Sequence, residues 1–98
     1  MFARVTTSQG STEPDRAEAN QRYAQEQLLP QLRQQPGFKN WYLLLDRQTG
    51  KGISITVWET EAALRASEDV GASTRTQASR DLGLQQLGVE RYEFIVMA

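Results

Sequence analysis

Phe38-Lys39-Asn40-Trp41-Tyr42-Leu43-Leu44-Leu45-Asp46-Arg47-Gln48-Thr49-Gly50-Lys51-Gly52-Ile53-Ser54-Ile55-Thr56-Val57-Trp58 is the stretch that decides the fold. Its first part, Phe38 to Asp46, reads as a strand that is apolar on both faces. Strict alternation puts Phe38, Tyr42 and Leu44 on one side and Trp41, Leu43 and Leu45 on the other. Arg47-Gln48-Thr49-Gly50 is a hairpin connection. Lys51 to Trp58 is the partner strand. Ile53, Ile55 and Val57 share one face; Ser54, Thr56 and Trp58 share the other.

Upstream of this hairpin, Pro36-Gly37 is a turn signal. Before it lies a helical segment. Thr12-Glu13-Pro14-Asp15 reads as its start, with Thr12 able to cap and Pro14 tolerated in the first turn. Ala17, Ala24, Leu28 and Leu32 fall on one helical face, with Tyr23 beside it. The helix is expected to run to about Gln34, with a kink or an early end at Pro30, which lacks a backbone donor. Phe2 to Thr7 is a first strand, followed by the polar run Ser8-Gln9-Gly10-Ser11.

Downstream, Thr60 caps a second helical region with Glu61 in its first turn. Ala62, Ala63, Leu64 and Ala66 favour helix. Gly71 is expected to interrupt it, Ala72 to Leu82 to resume it, and Gly83 to end it. Leu87 to Val96 is the final strand, with Tyr92, Phe94 and Val96 on one face.

The order is β-α-β-β-α-β, an α+β ferredoxin-like arrangement over residues 1–98 as one domain. Its helices cover only one face of a four-stranded antiparallel sheet. The other face is expected to expose Trp41, Leu43 and Leu45, with Trp58 nearby if it shares that face. A patch of that kind calls for a partner, and two-fold self-association is the commonest solution. A homodimer joined through the open sheet faces is therefore expected.

Composition narrows the chemistry. The 98 residues are 39% hydrophobic and 23% charged, with 11 basic and 12 acidic side chains and a formal charge of −1. A near-neutral chain has no field to hold a polyanion, so no nucleic-acid partner is expected. Cys and His are both absent. That excludes disulfides, thiolate and imidazole metal sites, Ser-His and Cys-His catalysis, and His-ligated haem. No apolar run approaches the length a bilayer requires, and the first residues lack a secretory h-region. The expectation is a cytoplasmic protein without a membrane partner.

The carboxylate groupings Glu59/Glu61 and Glu68/Asp69 fit helix N-terminal charge better than a converging metal cage, so no metal site is assigned. Gly50-Lys51-Gly52 lacks the spacing of a phosphate loop, and a hairpin explains it. Arg91 and Glu93 alternate opposite Tyr92 and Phe94, and Arg4 and Thr6 share a parity on the first strand. These polar positions orient a ligand, make cross-strand pairs or line a dimer contact.

Several of these segments resemble one family. Pro36-Gly37-Phe38, the hairpin Asp46-Arg47-Gln48-Thr49-Gly50-Lys51-Gly52, the strand end Ile55-Thr56-Val57-Trp58-Glu59-Thr60 with Ala63-Leu64, and Val89-Glu90-Arg91-Tyr92-Glu93 resemble the antibiotic biosynthesis monooxygenase-like group of the dimeric α/β-barrel superfamily. The resemblance runs from Phe2 to Val96. It implies a dimeric α/β barrel built from two apposed sheets, and a ligand cleft between the sheet and the helices of each subunit. Some members of the group oxidise quinol-like substrates with dioxygen and no metal or flavin; others degrade haem.

The Asn, Trp and His of the haem-degrading members fall near Thr6 or Thr7, Ser67 and Gln77, so this chain departs from that pattern at all three. Haem degradation is not expected, no cofactor is assigned, and no catalytic constellation is identified. The resemblance implies an apolar or aromatic small molecule as ligand, with Tyr23, Tyr42, Trp58 and Gln77 as candidate walls of its cleft. The catalytic alternative is a cofactor-independent monooxygenase acting on a quinol-like substrate. The remaining alternative is a structural or interaction dimer without a ligand.

Overall fold

Asp46 shows how closely the central hairpin follows from local chemistry. In the computed structural model, which describes residues 1–98, its carboxylate accepts from the backbone N–H of Gln48 (2.9 Å) and Thr49 (3.3 Å). Its backbone carbonyl accepts from Gly50 N, 2.8 Å away, and Gly50 takes φ +78°. Only glycine adopts that conformation without strain. The turn joins β2 (Phe38–Leu45) to β3 (Lys51–Trp58). β1 (Phe2–Gln9) lies on the far side of β3, and β4 (Gln85–Glu93) pairs with β1. The sheet has four strands in the order β2-β3-β1-β4, and every pairing is antiparallel. The ferredoxin-like expectation is borne out.

The helical layer is more broken than expected. α1 (Pro14–Tyr23) begins with Pro14 in its first turn, but Glu13 takes the capping position and makes no side-chain cap. Thr12 does not act there. A wider π-helical turn, Ala24–Leu28, leads directly into α2 (Leu29–Arg33). The helical run continues through Pro30 to Arg33, so Pro30 does not end it, and the wide π turn lies directly before it. α3 (Glu61–Ala66) has the expected cap, Thr60 Oγ1 accepting from Ala63 N at 3.0 Å. The break before α4 (Glu68–Leu82) falls at Ser67, not at Gly71, which lies inside α4. Gly83 ends α4 with φ +68°, as expected.

Two bulges decide which side chains face the helices. Phe38 pairs with Trp58 and Asn40 with Val57, so Lys39 is an extra residue in β2. Phe38 therefore joins the Trp58 side instead of the Tyr42 side. A second irregularity leaves Leu87 unmatched opposite β1. By register, Trp41, Leu43 and Leu45 lie on the same side as Ser54, Thr56, Arg4 and Thr6. That is the helix-facing side. The expectation that they lie on the open face is overturned. Tyr42 and Leu44 lie on the open face instead, beside Ile55 and Ile53. Trp58 is on the helix side too, and it is fully buried.

The core sits at one end of the layer. Leu32, Trp58 and Leu64 are buried together, with Phe2, Phe38, Trp41 and Ala63 packed around them. Phe38 meets Trp58 edge to face, their ring centroids 5.7 Å apart. The Trp58 indole N–H donates to Thr56 Oγ1 at 3.0 Å. No helix is long and apolar enough to cross a membrane.

Candidate functional site

Away from the Trp58 core, the inner face of the sheet changes character. The central strands present Thr6 and Ser8 of β1, and Gly52, Ser54 and Thr56 of β3. These side chains are too short to reach the helices. The helices are equally spare where they face them, with Ala24, Gly71 and Ala78 all buried. Small residues on both sides leave the space between the layers unfilled, and a cleft of about 840 Å³ results. Its volume suits a drug-sized or polycyclic ligand.

Trp41, Leu43 and Leu45 give the cleft its apolar wall on the β2 side. Leu28 and Leu32 face it from the first helical layer. The Trp41 indole N–H is already committed to Ser54 Oγ at 2.8 Å, so Trp41 offers its ring and not its donor. Arg75, Thr74 and Leu82 of α4 close the opposite side.

Arg4 is the unusual element of the floor. It is 3% exposed and lies with its guanidinium carbon 5.7 Å from the centroid of the Trp58 ring. Its Nη2 donates to Leu64 O and to Ser67 Oγ, each at 2.9 Å, and sits 3.1 Å from Glu68 Oε1. Its Nε is buried with no acceptor. Gln86 Oε1, also on a residue lining the cleft, is buried with no donor.

Glu68 is shared. Arg91 grips it with two hydrogen bonds of 2.6 Å each, from Nε and Nη2. Those bonds hold its carboxyl down at about 2, with the Arg4 hydrogen bond adding to them and burial opposing both. Arg75 makes no ion pair or side-chain hydrogen bond. Burial lowers its pKa, and the Arg4 charge lowers it further.

The four candidate wall residues lie outside this lining. Trp58 is enclosed in the core with its N–H satisfied. Tyr42 stands on the open face of the sheet, 53% exposed. Tyr23, half-buried, donates its hydroxyl to Asp81 Oδ2 at 2.9 Å in an exposed contact. Partial burial and that carboxylate raise its phenol above the usual value, while Gln77 nearby opposes the shift. Tyr23 and Gln77 thus come together, beside Asp81 and away from the cleft. Arg4 and Thr6, noted from the sequence for their shared parity, do meet in the floor. Arg75 was missed. On a helix with a weak apolar stripe, no spacing distinguishes it from a solvated arginine.

The sequence profile of antibiotic biosynthesis monooxygenases matches residues 1–79. The chain belongs to the antibiotic biosynthesis monooxygenase family. The uncharacterized proteins MT2635 and Rv2558 of two Mycobacterium tuberculosis strains are each 32% identical to it over 79 residues, which is 81% of this chain. The chain spans 33% of the length of each. Among solved structures, a Deinococcus radiodurans protein assigned to antibiotic biosynthesis monooxygenases is similar at a TM-score of 0.71 and 20% identity, covering 100% of this chain and 96% of that one. The Streptomyces coelicolor monooxygenase from ActVA-Orf6, solved with nanaomycin D, is similar at 0.64 and 16%, covering 99% and 91%. The Mycobacterium tuberculosis haem degrader MhuD, solved with two haems, is similar at 0.66 and 17%, covering 100% and 99%. At these identities the structural likeness establishes the fold of this family member and nothing about its ligand.

Proposed function

We propose that this family member binds an apolar aromatic small molecule in the cleft between its sheet and its helices, and that it does so as a homodimer. The observation that carries the binding reading is the 840 Å³ cleft itself. A sheet and helix layer meant only for stability would fill that space with large side chains. Here short hydroxyl residues and buried alanines leave it. A thermal-shift screen against aromatic phenols, quinols, flavins and haem tests the reading. A ligand at about a hundred times its dissociation constant stabilises by roughly 2.7 kcal/mol, several degrees for a domain of this size. Thr74→Trp, which projects a large ring from the cleft wall, is expected to abolish the shift. A shift that survives this substitution would place the ligand elsewhere.

The dimer reading rests on the open face. Tyr42, Leu44 and Tyr92 are about half exposed there, beside the half-buried Val5, Ile53 and Ile55. Packing two such faces together removes this apolar surface from water. Sedimentation is expected to give a dimer at micromolar concentration, and Leu44→Asp a monomer. A monomeric unaltered protein overturns it.

Family membership supports one catalytic reading of the same cleft. A quinol-like substrate would be held in its deprotonated form, shielded from water, and would react with dioxygen directly. Quinol-dependent dioxygen uptake that is lost in Thr74→Trp is the expected result. No uptake with any quinol that binds would leave the protein a binding module.

A further inference from the structure

The charge around the cleft is one-sided. Arg4, Arg33, Lys39, Arg47 and Arg75 all line it, and no Asp or Glu does. The chain as a whole has 12 acidic and 11 basic side chains, so this sorting is not a consequence of composition. Lys39, near the mouth, reaches Glu59 at 3.9 Å, and Arg33 and Arg47 are exposed. Arg4 and Arg75 are different, because they sit inside.

The two meet at Gly71. A Cβ built on that glycine would lie 2.8 Å from Arg4 Nη1 and 3.2 Å from Arg75 Nη1. The two guanidinium nitrogens are therefore no farther apart than the sum of those distances. Glycine in a helix interior normally costs stability. Here it admits two like charges to one place. The only carboxylate in this group is Glu68, and Arg91 and Arg4 already share it. Of the charges that act on Arg75, Glu68 stabilises its cationic form, while Arg4 and Arg91 oppose it. A half-buried guanidinium with no direct ion-pair partner is an unfavourable arrangement in the free protein.

From this geometry we infer that the ligand is an organic anion, an apolar ring system carrying a carboxylate, and that Arg75 receives that carboxylate beside Arg4. The inference rests on the cleft-binding reading and adds the substrate class to it. The ring would lie against Leu28, Leu32, Trp41 and Leu43. A carboxylate at Arg75 supplies the missing counter-charge and can accept two parallel N–H bonds from the guanidinium fork. Arg4 is fixed by its bonds to Leu64 and Ser67. It therefore acts as a positioning charge that cannot swing away.

The test is calorimetric titration of the full chain with 2-naphthoate and with its neutral counterpart 2-naphthalenemethanol. The carboxylate is expected to bind at least tenfold more tightly. Arg75→Gln is expected to erase that preference and to leave the melting temperature of the free protein unchanged or higher, because it removes an unpaired charge. Arg75→Lys, which keeps the charge, is expected to retain part of the preference and controls for folding. Equal binding of the two probes overturns the anionic assignment and leaves the cleft-binding reading standing. Binding of neither overturns both. A preference that persists in Arg75→Gln removes Arg75 from the role.

Discussion

The two ends of the space between sheet and helices share their strands, meet different helical segments and have opposite effects. At one end, Phe2, Phe38 and Trp58 from the strands meet Leu32 and Leu64 from the helices, and the layers close. At the other, Thr6, Ser8 and Ser54 face Ala24 and Ala78, and the layers stand apart. Large side chains fill the closed end and small ones leave the other unfilled. Arg4 sits at the boundary. Its guanidinium lies by the ring of Trp58 on one side and lines the cleft on the other. Buried apolar packing is concentrated at the closed end and the cleft lies at the open one.

Substitutions at the two ends should therefore differ sharply. Trp58→Ala is expected to cost about 3–5 kcal/mol, the range for a fully buried large aromatic, and urea denaturation would measure it. A cost below about 1 kcal/mol would mean that the closed end is not the stabilising one. The next effect is a pH dependence that belongs to the boundary. The Glu68 carboxyl is lowered from 4.5 to about 2, held down chiefly by the Arg91 hydrogen bonds. A depressed carboxyl contributes stability at pH values above its unfolded pKa, and that stability is lost as pH falls toward the folded value. The melting-temperature gap between the natural protein and Glu68→Gln should thus be full near neutrality and shrink from about pH 4.5 toward 2. A gap that is constant with pH would show that Glu68 acts through shape and not charge.

Gly71→Ala acts at the boundary itself. In most helix interiors this change stabilises by up to about 1 kcal/mol. Here the added methyl meets Arg4 Nη1 at 2.8 Å, and Arg4 is pinned by its carbonyl and hydroxyl partners. A net loss of about 1 kcal/mol is expected instead, from crowding. Stabilisation on thermal unfolding would show that the two guanidinium groups are freer than their bonds imply. The smallest effect should come from the open end. Leu43 lines the cleft and is already 52% exposed. Leu43→Ala is expected to change stability by less than about 1 kcal/mol while weakening ligand binding, a pairing that calorimetry and denaturation can separate.

The sequence made the order of elements legible because its signals there are local. Alternation marks β3, Asp46 and Gly50 mark the turn, Thr60 caps α3, and Gly83 ends α4. The faces of β2 were not legible in the same way. That strand is apolar on both sides, and one extra residue at Lys39 moves Phe38 to the other face. Nor did Gly71 betray its purpose. A glycine in a helical pattern reads as a break, whereas its reason lies in two arginines brought to it from β1 and from the next turn of α4. The helix break fell at Ser67, whose hydroxyl donates to Leu64 O and accepts from Arg4.

The βαββαβ order, the family, and the absence of histidine and cysteine chemistry are readable from the chain of residues without coordinates. These depend on residue type and on spacing within a few positions. The tertiary structure alone decided which face of the sheet the helices cover, where the cleft opens, and that Arg4 and Arg75 share it. Those outcomes depend on strand register and on side-chain volumes meeting across layers. Residues far apart in the chain set both, so no local pattern contains them.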